Sequence, residues 1–137
     1  MTNQNFYLKI AEIVGSHMHA MADLLRSQLA QAGSTTEANP AIWWNESGLI
    51  VGSVSVWVEG DRARDSIDGV FTVKLSDARL RIDADVCLSS GTIIAELFEQ
   101  DNYAGAREEL EGIVEAAIRV AEPIMVSTIV SAVRAQA

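Results

Sequence analysis

From residue 5 to residue 32 the apolar positions recur at three- and four-residue steps. Tyr7, Ile10, Val14, Met18, Met21, Leu25 and Leu29 share one stripe, which predicts an amphipathic helix. Asn3 or Asn5 is placed to cap its start and Gly33-Ser34 to end it. Gly15 weakens its middle by about 1 kcal/mol relative to alanine. The stretch Gly33 to Gly48 reads as a connection, because its Ser, Thr and Asn residues and Pro40 compete with regular backbone pairing. Trp43 and Trp44 interrupt it, with one expected to plug the core and the other to cover a sheet edge.

From residue 50 the period changes to two. Ile50, Gly52, Val54, Val56 and Val58 alternate with Val51, Ser53, Ser55 and Trp57 in a first strand. A second strand sets Ile67, Gly69, Phe71, Val73 and Leu75 against Asp68, Val70, Thr72 and Lys74. A third sets Leu80, Ile82, Ala84, Val86 and Leu88 against Arg79, Arg81, Asp83, Asp85 and Cys87. Ser89-Ser90-Gly91 turns into a fourth strand, Thr92 to Phe98. Connections this short impose antiparallel neighbours, and one apolar face per strand means a sheet covered on one side.

Asp101 or Asn102 caps a closing helix whose stripe runs Tyr103, Ala106, Leu110, Ile113, Ala117, Val120 and Ile124. Pro123 is expected to kink or break it near Glu122. The expected fold is α+β, a single domain over 1–137. It is a two-layer α-β-β-β-β-α arrangement, a four-stranded antiparallel meander with both helices packed on one face. Past Pro123 the helix is apolar around most of its circumference. Packing one side of it on the sheet leaves Val126 and Val130 outside. A homodimer built on Met125, Val126, Ile129, Val130 and Val133 is the expected cover, with a tail tucked wholly into its own core as the alternative.

Composition narrows the partners. The 137 residues hold 10 Lys plus Arg against 19 Asp plus Glu, a net charge of -9 that repels nucleic acid and anionic membranes and either steers basic proteins or, as in many acidic cytosolic proteins, serves no such partner. The N-terminus has no signal-peptide pattern and no apolar run reaches the ~20 residues that span a bilayer. With the single Cys87 unable to form an internal disulfide, a reducing, cytoplasmic setting is expected.

Chemistry finds little to work with. His17 and His19 point about 200° apart on a helix and cannot hold one metal together, so both read as structural. Cys87 has no adjoining base or helix N-terminus to activate it. No nucleophile elbow, phosphate loop, dinucleotide fingerprint or paired Cys/His spacing occurs, so neither an enzyme nor a cofactor or metal is expected. Glu96, Glu99, Asp101, Glu108, Glu109, Glu111 and Glu115 crowd one region. Of these, Glu108, Glu111 and Glu115 share a helical face, either a solvated surface or a patch that docks a basic partner. Arg79, Arg81, Asp83 and Asp85 line one strand face, where cross-strand pairing with Asp68 and Lys74 explains the charges. Trp57, among serines on that same face, is either an interface anchor or covered by Trp43 or Trp44.

The run Glu46-Ser47-Gly48 through Gly52-Ser53-Val54-Ser55-Val56-Trp57 to Gly60 resembles the "aliphatic-G-x-aliphatic-x-V-W-x-x-G" strand of small bacterial immunity proteins of the TriTu type. Asp83-Ala84-Asp85-Val86 to Ser90-Gly91-Thr92-Ile93-Ile94, before an acidic helix, is similar to their later hairpin. The resemblance covers roughly 46–118, with extra residues around Arg62 to Leu80 between the matching segments. It implies a non-enzymatic protein that neutralises a partner toxin by binding it. Type III secretion chaperones, small acidic dimers that bind effector segments, share the gross features but place a helix within the strand series. A small ligand-binding or enzymatic domain would instead need a pocket between helices and sheet.

Overall fold

The computed structural model describes residues 2–31, 36–58, 66–76, 79–103 and 107–136. The first periodic stretch is helix α1, Thr2–Gln31, and the last is helix α2, Arg107–Gln136. Between them lie β1 (Thr36–Trp44), β2 (Leu49–Val58), β3 (Ile67–Ser76), β4 (Arg79–Leu88) and β5 (Ile93–Tyr103). The turns expected after β2 and after β3 and the stop at Gly33-Ser34 fall largely outside the described residues. So do Ala106 and the side chains of Asn3, Val58, Asn102, Tyr103 and Glu108.

The sheet is a pure antiparallel meander in the order β1-β2-β3-β4-β5. It therefore has five strands where the periodicity predicted four, because most of the expected connection 33–48 is β1. Pro40 hid that strand, yet its position is one where proline is tolerated. Alternation along β1 and β2 turns the backbone of Ala38, Pro40, Ile42 and Trp44 toward the free edge, so no ladder bond is lost at Pro40. At the same edge the Arg26 guanidinium donates to the carbonyl of Ala38. Asn45 and Gly48 then close the β1–β2 hairpin. Asn45 Oδ1 accepts from the Ser47 amide at 3.0 Å, and Gly48 has φ 93°, a left-handed conformation that glycine adopts without strain.

The extra strand also sets the helix directions. Five up-and-down strands leave α1 and α2 parallel, whereas four would make them antiparallel. Accordingly Lys9 and Glu12 of α1 share a groove with Glu111 of α2, and His17, further along α1, meets Glu115 and Glu122, further along α2.

Both helices lie on one face. Gly52 sits under Val14 and Met18 of α1, and Gly69 under Met125 and Ile129 of α2. Gly52 faces Phe71 across the ladder, two residues from Gly69, so the two glycines share a side of the sheet. The interior is a single cluster built on Ile10, Met18, Leu25, Phe71, Ile82, Ile118 and Met125. Each fully buried side chain of this size contributes roughly 1.5–3 kcal/mol of transfer free energy.

Four expectations for the C-terminal half are corrected. β5 continues through Tyr103, so Asp101 and Asn102 are strand residues and cap no helix. α2 runs through Pro123 without a break. Pro123 has no amide hydrogen to donate to the Arg119 carbonyl, and Arg119 lies on the exposed side of the helix. The buried row is Val114, Ile118, Ala121 and Met125, while Val120 and Ile124 point outward at 54% and 45% exposure. Val126 and Val130, expected outside, are 3% and 8% exposed. Met125, Ile129 and Val133 are buried as well, so these five residues lie in the chain's own core and not on an exposed patch. No helix is long and apolar enough to cross a membrane among the described residues.

Candidate protein-binding face

Among the described residues no element covers the second face of the sheet. Its layout follows from the pairing register. One row across the strands reads Trp43, Val51, Thr72, Asp83, Glu99, and the next reads Ala41, Ser53, Val70, Asp85, Glu96. At about 4.8 Å per strand, Trp43 and Glu99 stand roughly 19 Å apart. The β1–β2 side of this face is aromatic, aliphatic and hydroxyl-bearing, and the β4–β5 side is acidic. Strand alternation produces this surface, since most residues on β2, β3 and β4 here are the outward neighbours of core residues.

The tryptophans divide as the local geometry dictates. Trp44 packs against the core from the helix side of β1. Trp43 stands on the uncovered face and is 54% exposed, so it plugs nothing. Trp57 is half-buried on the same face, opposite Glu37. Trp43 pairs with Val51, six residues from Trp57 along β2, a span of roughly 20 Å, so it does not lie over Trp57.

The charges pair differently from expectation. Register sets Lys74 opposite Arg81 and Asp68 opposite Cys87, so neither answers the third predicted strand's charges. The partners come from β5 and from β4 itself. Arg81 lies 3.4 Å from Asp83 and 3.0 Å from Glu99, and Arg79 lies 3.7 Å from Asp101. Asp85 and Glu96 face each other, with no cation on either among the described residues. Burial, then Asp83 and Glu96, push the Asp85 carboxyl above its ordinary value. Burial, then Asp85 and Asp68, push the Cys87 thiol up too, which disfavours its thiolate.

Beside these acids β5 is bulged. Ala84 faces Phe98 while Asp85 faces Glu96, leaving Leu97 as the extra residue. A groove of about 530 Å³ opens there, lined by Thr72, Arg81, Asp83, Asp85, Glu96 and Leu97 among others.

A second groove, about 450 Å³, runs between the helices. Here His17 Nε2 donates to Glu115 Oε2 at 2.9 Å, and its Nδ1 lies 3.8 Å from Glu122. Arg119 donates to Glu115 at 3.2 Å. Burial raises the Glu115 carboxyl, but the hydrogen bonds and charges of His17 and Arg119 outweigh it and hold it below its ordinary value. Glu111 and Glu115, read from the sequence as a surface face, thus line the helix–helix seam, and His17 acquires partners no local spacing revealed. His19 is exposed. No group of three potential metal ligands converges among the described residues. Neither of these two grooves lies between helices and sheet.

The chain matches no protein-family model, no curated protein and no solved structure.

Proposed function

We propose that this chain is a non-enzymatic protein-binding module that neutralises a basic partner toxin by occupying it with the uncovered sheet face. One observation carries the reading: a five-stranded surface that no described element covers, aromatic at one side and acidic at the other. Exposed tryptophan supplies the large, rigid contact area typical of interface centres. Unbalanced acid supplies steering toward a cationic protein. The resemblance of 46–118 to TriTu-type immunity proteins points the same way, and its two matching segments fall on β2 and on β4 running into the start of β5. Strand addition fits less well, because both edges are guarded. β1 carries Pro40 and the Arg26 contact, and β5 carries two register shifts and a row of acids.

Co-expression tests the proposal. The product of each gene beside this one is expressed alone and together with the chain. The expected result is a product that arrests growth alone, spares cells when the chain is present, and forms a complex lost with Trp43→Ala plus Trp57→Ala. Growth arrest indifferent to the chain for every neighbour, or a substrate turned over by the purified chain, contradicts it.

A further inference from the structure

We infer that the β4–β5 side of the uncovered face receives a lysine- or arginine-bearing segment of the partner, with one cationic side chain seated in the groove beside Asp85 and Glu96. This rests on the binding role proposed above and specifies which part of the face meets which chemistry.

Three observations converge on it. The ladder places Asp85 opposite Glu96 and Asp83 opposite Glu99, like charges side by side, an arrangement that destabilises a sheet. Arg81 answers Asp83 and Glu99, yet among the described residues nothing answers Asp85 or Glu96. The groove has acids at its rim beside the apolar bulge residue Leu97. That composition matches a long basic side chain, whose methylene stem packs on apolar surface while its head stays with charge. A second copy of this chain or a nucleic acid would bring negative charge to an already negative face, so the complementary occupant is a cationic protein segment. The guarded edges direct that segment across the face instead of alongside β5 as a sixth strand.

The probe is tetra-arginine amide, titrated into the full ¹⁵N-labelled chain at low and at physiological salt. Amide shifts are expected to centre on Thr72, Asp85, Glu96 and Leu97. Asp85→Asn with Glu96→Gln is expected to weaken binding roughly five- to tenfold. Glu12→Gln with Glu111→Gln removes equal charge at the inter-helix groove and is expected to change binding less than about twofold. Both double variants delete charge without deleting packing, and unchanged circular dichroism verifies that they fold. Equal weakening by both, or shifts spread over the helices, overturns the inference by showing diffuse attraction. If no neighbouring toxin exists but the titration localises, this site stands without the neutralising role. If a toxin binds but the titration is diffuse, the role stands without this site.

Discussion

Adding one methyl group at Gly52 probes how tightly α1 is seated on the sheet. A Cβ there would lie 2.4 Å from Val14 Cγ1 and 2.9 Å from Met18 Cγ. Carbon atoms rest at about 3.5–4.0 Å, so more than 1 Å must be recovered at Val14. Val14 is fully buried, and its branched side chain has essentially one rotamer in a helix, so it cannot swing away. Relief has to come from lifting the helix, a typical overpacking cost of about 1–3 kcal/mol. Replacing a strand glycine returns about 0.5–1 kcal/mol, leaving Gly52→Ala roughly 0.5–2 kcal/mol less stable. Gly69→Ala meets Met125 Sδ at 2.6 Å, Met125 Cγ at 2.8 Å and Ile129 Cδ1 at 3.0 Å. These atoms belong to side chains that can adjust, so the net cost there is expected below about 1 kcal/mol. Urea unfolding of both variants with a common slope measures the difference. Gly52→Ala as stable as the parent, or less harmful than Gly69→Ala, would refute this seating of the helix.

Other substitutions test the packing and the charges. Val126→Glu buries a carboxylate in the core and is expected to cost more than about 3 kcal/mol, while Val120→Glu on the exposed side stays within about 0.5 kcal/mol, both read by urea unfolding. Size-exclusion chromatography with light scattering of Val120→Glu is expected to leave the parent's mass unchanged. Glu115→Gln tests the helix seam. A carboxyl held below its ordinary 4.5 stabilises the fold above that value and loses this contribution as pH falls through the depressed value, so the parent's advantage is expected at neutral pH and gone in strong acid. Asp85 has the opposite sign. Its raised carboxyl penalises the fold once ionised, so Asp85→Asn is expected to gain stability at neutral pH and to gain nothing below the ordinary 3.8, read by thermal melts across pH.

The alternation that made β2, β3 and β4 legible lies in side-chain identity alone, and the sheet honours it residue by residue. β1 carries the same signal: Ala38, Pro40, Ile42 and Trp44 alternate with Glu37, Asn39 and Trp43. Pro40 masked it, because an edge position, which makes proline harmless, is a property of the whole sheet. The register shifts in β5 broke its period, so its continuation to Tyr103 looked like a helix cap. In α2 the apolar residues after Ala117 lie on several sides, and only the fit of Met125 and Ile129 over Gly69 selects which of them turn inward. The candidate face was partly visible, since Trp57, Arg81, Asp83 and Asp85 follow from alternation. What sequence hid was the ladder opposite them, which supplies Glu96 and Glu99, and the seam that joins His17 to Glu115 over 98 positions of chain.

Hydroxyl-radical footprinting of the chain, alone and with any co-encoded protein found to arrest growth only in its absence, tests the docking face directly. Oxidation reads side chains, so it distinguishes the uncovered face from the exposed helix side on the opposite surface. The account predicts that complex formation shields Trp43 and Trp57 severalfold and leaves Leu24, Val120 and Ile124 unchanged. Shielding of the three helix residues with the two tryptophans still oxidised would contradict it.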